Sequence, residues 1–437
     1  MKKLFLPVLL TLTILLSACN AAAKTVEPTA APTAAPTEAA ASSSDQTATV
    51  GAITSEENPC VPFNLLSQSL TTPYPGLPEV TDDDYIIGPK DAPVTFMVYS
   101  EPQCPYCAQF DPLIESFTAL YPNDVRFVFR LRPFPVSFHD KSILVSQAMV
   151  AAGLQGKFDE FRIWIFERQN KNPNNPAVAS LADTEFWAGL APADLDNWLK
   201  KRVSVLGIDP DQLLKDMVSD AVVKKVEAAR TSADAIGVTG TPTLFVNGYA
   251  WPENQRGNEI FSIYTKLLLN GKNEFAACPA MEIDKSKSYS ATITTTKGDI
   301  VVDLFADKAP YAVNSFVFLA RKGWYNNLPI ISTDQFALSG DPTDTGYGGP
   351  GYAYKDEIDS TLTFNEPGML AVFAYNVGSG TNGSTFFINK IALPEQAGRT
   401  IFGKVTAGLD VLNNLEIRDN IFNPALDRVL GVTITEK

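Results

Sequence analysis

Histidine is almost absent from this 437-residue chain, and cysteine is sparse: one His, His139, and five Cys. With one histidine and a single Cys-x-x-Cys, there is no ordinary four-ligand zinc set, and neither a metal nor an organic cofactor is expected. Basic residues are also few. Against 49 Asp and Glu stand 35 Lys and Arg, a net charge of -14. No basic face is available to neutralise phosphates, so nucleic acid is not an expected partner. Beyond the first twenty residues, no apolar run is long enough to cross a bilayer. Hydrophobic residues make up 45% and charged residues 19%, enough apolar side chains for each of two or three domains to bury its own core.

The N-terminus carries an address. Met1-Lys2-Lys3 is a short basic segment, and Leu4 to Leu16 is an apolar run too short to span comfortably. It reads as a signal-peptide core. It ends in Leu16-Ser17-Ala18-Cys19, which resembles a bacterial lipobox, with Cys19 as the lipidated residue. An ordinary secretory signal with a chance cysteine is the alternative. Residues 1–19 are thus expected to be a lipoprotein signal and 20–57 a tether rich in Ala, Thr, Pro and Ser. Such a tether has too few large apolar groups to offset the entropy of ordering. The expected location is extracytoplasmic, lipid-anchored to a bacterial membrane, where disulfides persist.

The first folded domain is expected over 58–280. Val94–Ser100 is a short apolar run of β-formers and reads as a buried strand. Cys104-Pro105-Tyr106-Cys107 follows, and then helical spacing from Ala108 to Tyr121, with Phe110, Leu113, Ile114, Phe117 and Leu120 on one face. The order has a chemical purpose. At a helix N-terminus, free N–H groups and the helix dipole favour a thiolate at Cys104. Cys107, one turn later, is placed to resolve a mixed disulfide formed there. Half a zinc site and a structural disulfide are the other uses of such a pair. Val125–Arg130 reads as a second strand, and residues from Ser142 to Ala235 read as mostly helical, including Asp183–Leu206 and Pro210–Ala235.

The strand with its C-P-Y-C, the Phe134-Pro135 and His139 stretch, the helical insertion and Gly240–Gly248 together resemble DsbA-like thioredoxin-fold disulfide oxidoreductases. The resemblance implies a cis proline at Pro242 beside the cysteines. Pro105, Tyr106, Thr241 and Pro242 would then line the groove for an extended substrate peptide. Tyr106 carries no positive charge between the cysteines, so the direction of exchange, oxidase against reductase or isomerase, stays open. His139 reads as a residue at the start of a helix rather than a proton shuttle. Cys60 and Cys278 flank the domain. A structural disulfide closing its edges is the leading reading, and two free thiols the rival.

Residues 286–437 change character. Tyr289–Thr296 and Gly298–Phe305 alternate as a hairpin, Ala309–Lys322 reads as a helix, and short strands with glycine turns follow. Lys297–Ile300, Gly340–Tyr352, Thr381–Ile388 and Phe402–Val405 closely resemble cyclophilin-type peptidyl-prolyl isomerases, which implies a closed antiparallel β-barrel. The family's catalytic arginine has no counterpart in Leu328–Ser339. Phe336, Asn376, Phe387 and Arg399 are the groove candidates, with Arg399 a conceivable substitute donor from the other side.

The fold expected is therefore multi-domain, α/β plus β: a thioredoxin fold with a helical insertion, then a cyclophilin-like barrel. The expected function is thiol–disulfide exchange on envelope or secreted proteins, with a degenerate isomerase barrel serving client binding. The alternatives are a bifunctional foldase and a non-catalytic tethered chaperone. Partners would be unfolded or partly folded envelope proteins and a membrane redox partner.

Overall fold

The structure is a computed structural model describing residues 54–134, 139–169, 180–252, 257–374, 378–418 and 423–437. The expected signal peptide, Cys19, most of the tether and Asn376 lie outside the described residues.

The first elements among the described residues are a strand, β1 (Cys60–Pro62), and a short helix, α1 (Leu65–Ser69). Five strands then form one mixed sheet: β2 (Tyr85–Ile87), β3 (Val94–Ser100), β4 (Val125–Leu131), β5 (Thr243–Val246) and β6 (Tyr249–Ala250), in the order β2-β4-β3-β5-β6. The central strand β3 runs parallel to β4 and antiparallel to β5. Phe96 and Val98 face one core while Met97 and Tyr99 face another. Burial on both faces explains why β3 is a continuous apolar run rather than an alternating one.

Helix α2 (Pro105–Leu120) links β3 to β4. Between β4 and β5 lies a helical insertion: α3 (Ser142–Leu154), α4 (Phe158–Glu167), α5 (Leu195–Lys200), α6 (Pro210–Met217) and α7 (Asp220–Ala235), with α8 (Asn258–Asn270) after β6. Two expected helices are broken. Asp183–Leu206 becomes α5 flanked by short 3-10 turns. Pro192, which lacks an N–H to continue a preceding helix, starts one of those turns. Pro210–Ala235 divides at Ser219, whose hydroxyl accepts from Val222 N and caps α7.

The C-terminal part builds a nearly closed, antiparallel nine-stranded sheet. Its strands are β7 (Tyr289–Thr295), β8 (Gly298–Leu304), β9 (Leu328–Pro329), β10 (Ile331–Ser332), β11 (Phe336–Ser339), β13 (Met369–Val372), β14 (Phe386–Asn389), β15 (Ile401–Ala407) and β16 (Arg428–Glu436). A separate strand, β12 (Tyr352–Tyr354), lies between β11 and β13 in sequence, and helices α9 (Pro310–Arg321) and α10 (Leu409–Asn413) complete the unit. Along β7, Tyr289, Ala291, Ile293 and Thr295 are buried and their neighbours half-buried, the period of a strand with one face on a core. From α9, Val313, Phe316 and Val317 enter that same core. Gly340 has φ +106°, and a Cβ there would lie 2.2 Å from Ser384 O, so this close passage of two segments requires glycine.

The junction between the two parts differs from the expected boundary at 58 and 280. The expected disulfide is present: Cys60 is bonded to Cys278 and joins the two ends of the mixed-sheet domain, but it does so on the barrel side. Strand β1 pairs antiparallel with β12, Cys60 opposite Tyr354, and both cysteines pack against the barrel core. Thr54, expected within the tether, is buried and donates its hydroxyl to Gly380 O at 3.0 Å. On the return path Phe275 N donates to Pro350 O at 2.8 Å. The mixed-sheet domain is thus held to the barrel at both of its ends.

Candidate functional site

The end of β3 delivers the chain to α2 through Glu101–Gln103. Cys104 occupies the N-cap of α2 and Pro105 its first turn, where a missing N–H leaves no helical bond unmade. Cys107 N and Ala108 N point to Cys104 O at 3.1 and 3.2 Å, fixing the turn. Cys104 Sγ lies 3.4 Å from Thr241 O, and the Thr241–Pro242 bond is cis. Two segments more than a hundred residues apart in sequence therefore meet at the sulfur. Tyr106 is 63% exposed beside them.

The two thiols differ in kind. A hydrogen bond from the Cys107 thiol, with help from Thr241 and the N–H groups of Cys107 and Tyr106, outweighs burial and pulls the Cys104 thiol down to about 5. Burial, and its own donation to Cys104, push the Cys107 thiol well above the usual range. These opposite shifts favour the thiolate form at Cys104 and the protonated thiol at Cys107.

Two side chains missed in the sequence complete this site. Glu101 is fully buried. Its Oε1 accepts from Gln103 N at 3.0 Å, its Oε2 lies 2.9 Å from His139 Nδ1, and burial pushes its carboxyl up to about 7. His139 stands at the entry to α3, its carbonyl accepting from Ser142 N at 3.1 Å, and its ring faces Glu101. Gln169 Nε2 donates to Pro102 O and Cys104 O at 2.7 and 2.9 Å, bracing the loop. An acid between an apolar strand and a Cys-x-x-Cys was the available signal for Glu101. Nothing in the sequence pointed to Gln169.

In the barrel, the groove candidates gather around Phe387 on β14. The Phe336 ring is 5.9 Å away edge-on, Phe373 is 6.3 Å away, and Phe364 stacks at 5.5 Å. The Arg399 guanidinium lies over Phe373 at 4.9 Å and Phe387 at 5.8 Å. Its Nη1 donates to Ala374 O at 3.0 Å and its Nε to Gln396 Oε1 at 2.8 Å. Burial lowers its proton affinity. Asn376 lies outside the described residues. Beside the groove, a cavity of about 300 Å³ opens at the junction, with Phe63, Asn64 and Glu274 on one wall and Tyr347, Thr381 and Thr385 on the other.

Comparison with known proteins matches both parts. Residues 80–266 match the thioredoxin family model, and residues 290–433 match that of the cyclophilin type peptidyl-prolyl cis-trans isomerase. A peptidyl-prolyl cis-trans isomerase of Helicobacter pylori (strain ATCC 700392 / 26695) is 38% identical over 145 residues, which are 32% of this chain and 88% of that protein. The peptidyl-prolyl cis-trans isomerase-like 2 of Rhizopus delemar is 44% identical over 138 residues, 30% of this chain and 25% of that protein. The chain spans about a quarter of the length of the first curated relatives it matches. Among solved structures, oxidised BdbD from Bacillus subtilis is 21% identical, covering 43% of this chain and 94% of that one, with a TM-score of 0.34. Through its C-terminal barrel the chain belongs to the cyclophilin-type peptidyl-prolyl cis-trans isomerase family, and a thioredoxin-like domain precedes that barrel.

Proposed function

We propose that the protein is an extracytoplasmic thiol–disulfide oxidoreductase that donates disulfides to envelope or secreted proteins, with its barrel holding the client. The observation that carries this reading is the Cys104 sulfur, placed at the N-terminus of α2 against the Thr241–Pro242 turn. A thiolate held down in proton affinity stabilises the reduced state, and the disulfide has no such stabilisation. The Cys104–Cys107 disulfide is therefore ready to pass to another protein.

In the exchange, a client thiolate attacks Cys104 Sγ. A client–Cys104 disulfide forms, the Cys104–Cys107 bond breaks, and Cys107 leaves with the electron pair and takes a proton. A second client thiolate then attacks the mixed disulfide at the client sulfur, and Cys104 leaves as its thiolate. The client is oxidised by two electrons and the cysteine pair reduced. A membrane redox partner reoxidises the pair.

The leader ending in Cys19 supports anchoring by lipid to a bacterial membrane, and the Cys60–Cys278 bond suits an oxidising compartment. The equilibrium reduction potential of Cys104–Cys107 in the full chain tests the direction. A value near about -120 mV is expected of a disulfide donor, and one near about -270 mV overturns the donor reading.

A second reading, a foldase with both domains active, is favoured by Arg399. Twisting a prolyl amide localises the nitrogen lone pair, and a cationic donor there lowers the barrier. Leu328–Ser339 supplies no arginine, but the guanidinium of Arg399 lies over Phe387.

A further inference from the structure

The cavity of about 300 Å³ beside the groove takes its walls from two sources. Phe63, Leu267 and Glu274 belong to the segments that enter and leave the thioredoxin-like domain, and Phe373, Thr381 and Thr385 belong to the barrel. The two sides are fixed to each other. Phe63 N donates to Gly351 O at 2.9 Å, Phe275 N to Pro350 O at 2.8 Å, and Asn270 Nδ2 to Gly349 O at 3.2 Å. Gly351 has φ +88°, and a Cβ there would lie 2.5 Å from Phe275 O, so the close approach requires glycine. The cavity is therefore built before anything enters it, which lowers the cost of binding.

Glu274 is the one charged residue lining it among the described residues. Its carboxylate accepts from Asn64 Nδ2 and, at 3.5 Å, from Asn270 Nδ2. Both donors are neutral amides, and neither Lys nor Arg is paired with it among the described residues. Burial raises its proton affinity, and the two amides offset that only in part. Asn270 itself is 4% exposed, and its Oδ1 accepts no hydrogen bond among the described residues. The amide cannot turn over, because its oxygen would then face Glu274 and Gly349 O. A half-buried carboxylate and an unsatisfied amide oxygen thus stand together, short of positive charge.

We propose that this cavity is a side-chain pocket for the client, selecting a Lys or Arg next to the stretch of client that lies in the barrel groove, with Glu274 as its counterion. The inference deepens the client-holding part of the reading above and rests on it. Phe373 joins the two places. Its ring lines the cavity and lies 6.3 Å from that of Phe387, and its N–H donates to Thr385 O at 2.9 Å. A chain crossing Phe387 can therefore turn one side chain into the cavity. The aliphatic stem of a Lys or Arg would lie on Phe63, Leu267 and Phe373 while its charged head reaches the carboxylate. An acidic side chain would meet like charge there and be rejected. The Arg399 guanidinium rests on the Phe373 ring but does not line the cavity. Because Phe63, Leu267 and Glu274 lie outside the barrel, the selectivity belongs to the joined domains and not to the barrel alone.

The test measures fluorescence anisotropy of labelled peptides with the full chain, Cys60–Cys278 left oxidised. The peptides are alanine chains with one central proline and a single Lys moved position by position along them, each with a norleucine twin and a Glu twin. At one position the Lys peptide should bind at least about tenfold tighter than its norleucine twin, and the Glu twin more weakly than both. Glu274→Gln should bring the Lys-to-norleucine ratio to within about twofold. Thr381→Lys, which keeps Glu274 and places a cation on the facing wall, should do the same. Because a ratio is read, a general loss of affinity from a disturbed fold does not imitate the result. A native chain that binds the twins equally at every position overturns the pocket's role, and so does a Lys preference that survives Glu274→Gln. If the native chain binds none of the peptides, the client-holding reading itself fails and the pocket with it.

Discussion

At the scale of single residues, two cysteines three positions apart carry opposite assignments because their surroundings differ. Cys104 lies at a helix N-terminus within reach of several donors, whereas Cys107 is enclosed by the core. Arg399 is the comparable residue in the barrel. A guanidinium lying over two phenylalanine rings and donating to a main-chain carbonyl is oriented rather than free to rotate, and cation–π contact of this kind adds to that. If the barrel isomerises proline, Arg399→Ala should reduce that rate by about a hundredfold or more, in line with removal of one transition-state donor. A coupled proline-isomerisation assay of the full chain measures this. A variant as fast as the native chain would leave Arg399 a packing residue of the groove.

At the scale of elements, the helical insertion has to be fixed to the helix that presents the cysteines. Arg162 on α4 does this. Its side chain is buried, and it pairs with Asp111 and Glu115 on α2 and with Asp159 on its own helix. Its position over the Phe129 ring extends the contact to β4. Removing one member of a buried ionic cluster leaves uncompensated charge. Arg162→Ala is expected to destabilise the thioredoxin-like domain by about 3–5 kcal/mol, measured by chemical denaturation with tryptophan fluorescence. A loss below about 1 kcal/mol, the range of exposed pairs, would show that α2 is positioned without this cluster.

At the scale of the whole molecule, the covalent staple ties the domains together. Cys60 and Cys278 are separated by 218 residues, a loop that contains the whole thioredoxin-like domain, and they meet on the barrel, Cys60 in β1 beside β12. Closing so long a loop restricts the unfolded chain. Replacing both cysteines by serine is therefore expected to cost about 2–5 kcal/mol and to lower the melting temperature, with the largest rise in protease sensitivity at β1 and at Phe275–Cys278. A double variant as stable and protease-resistant as the native chain would mean that the strand pairing alone holds the junction. The same arrangement gives the approximately 300 Å³ cavity walls from both parts of the chain, which suits a barrel that holds a client.

The sequence by itself determined what depends on near neighbours. It placed β3, α2 and β4, because an apolar run of β-formers, a helical apolar face and a proline at the first helical turn are local patterns. It also placed the β7–β8 hairpin and α9, and it identified both domain families from long motifs. Only the tertiary structure decided which distant residues meet. Glu101 and His139 lie 38 positions apart, and no periodicity connects them; their pairing follows from how β3 and the segment before α3 come together. The breaks at Pro192 and Ser219 arise from capping and packing, which overrule helical spacing. The attachment of Cys60 to the barrel rather than to its own sheet was set by the free edge of β12, whose main-chain groups β1 satisfies. Local propensity is written residue by residue, while pairing across the fold depends on which buried surfaces and unpaired main-chain groups face one another.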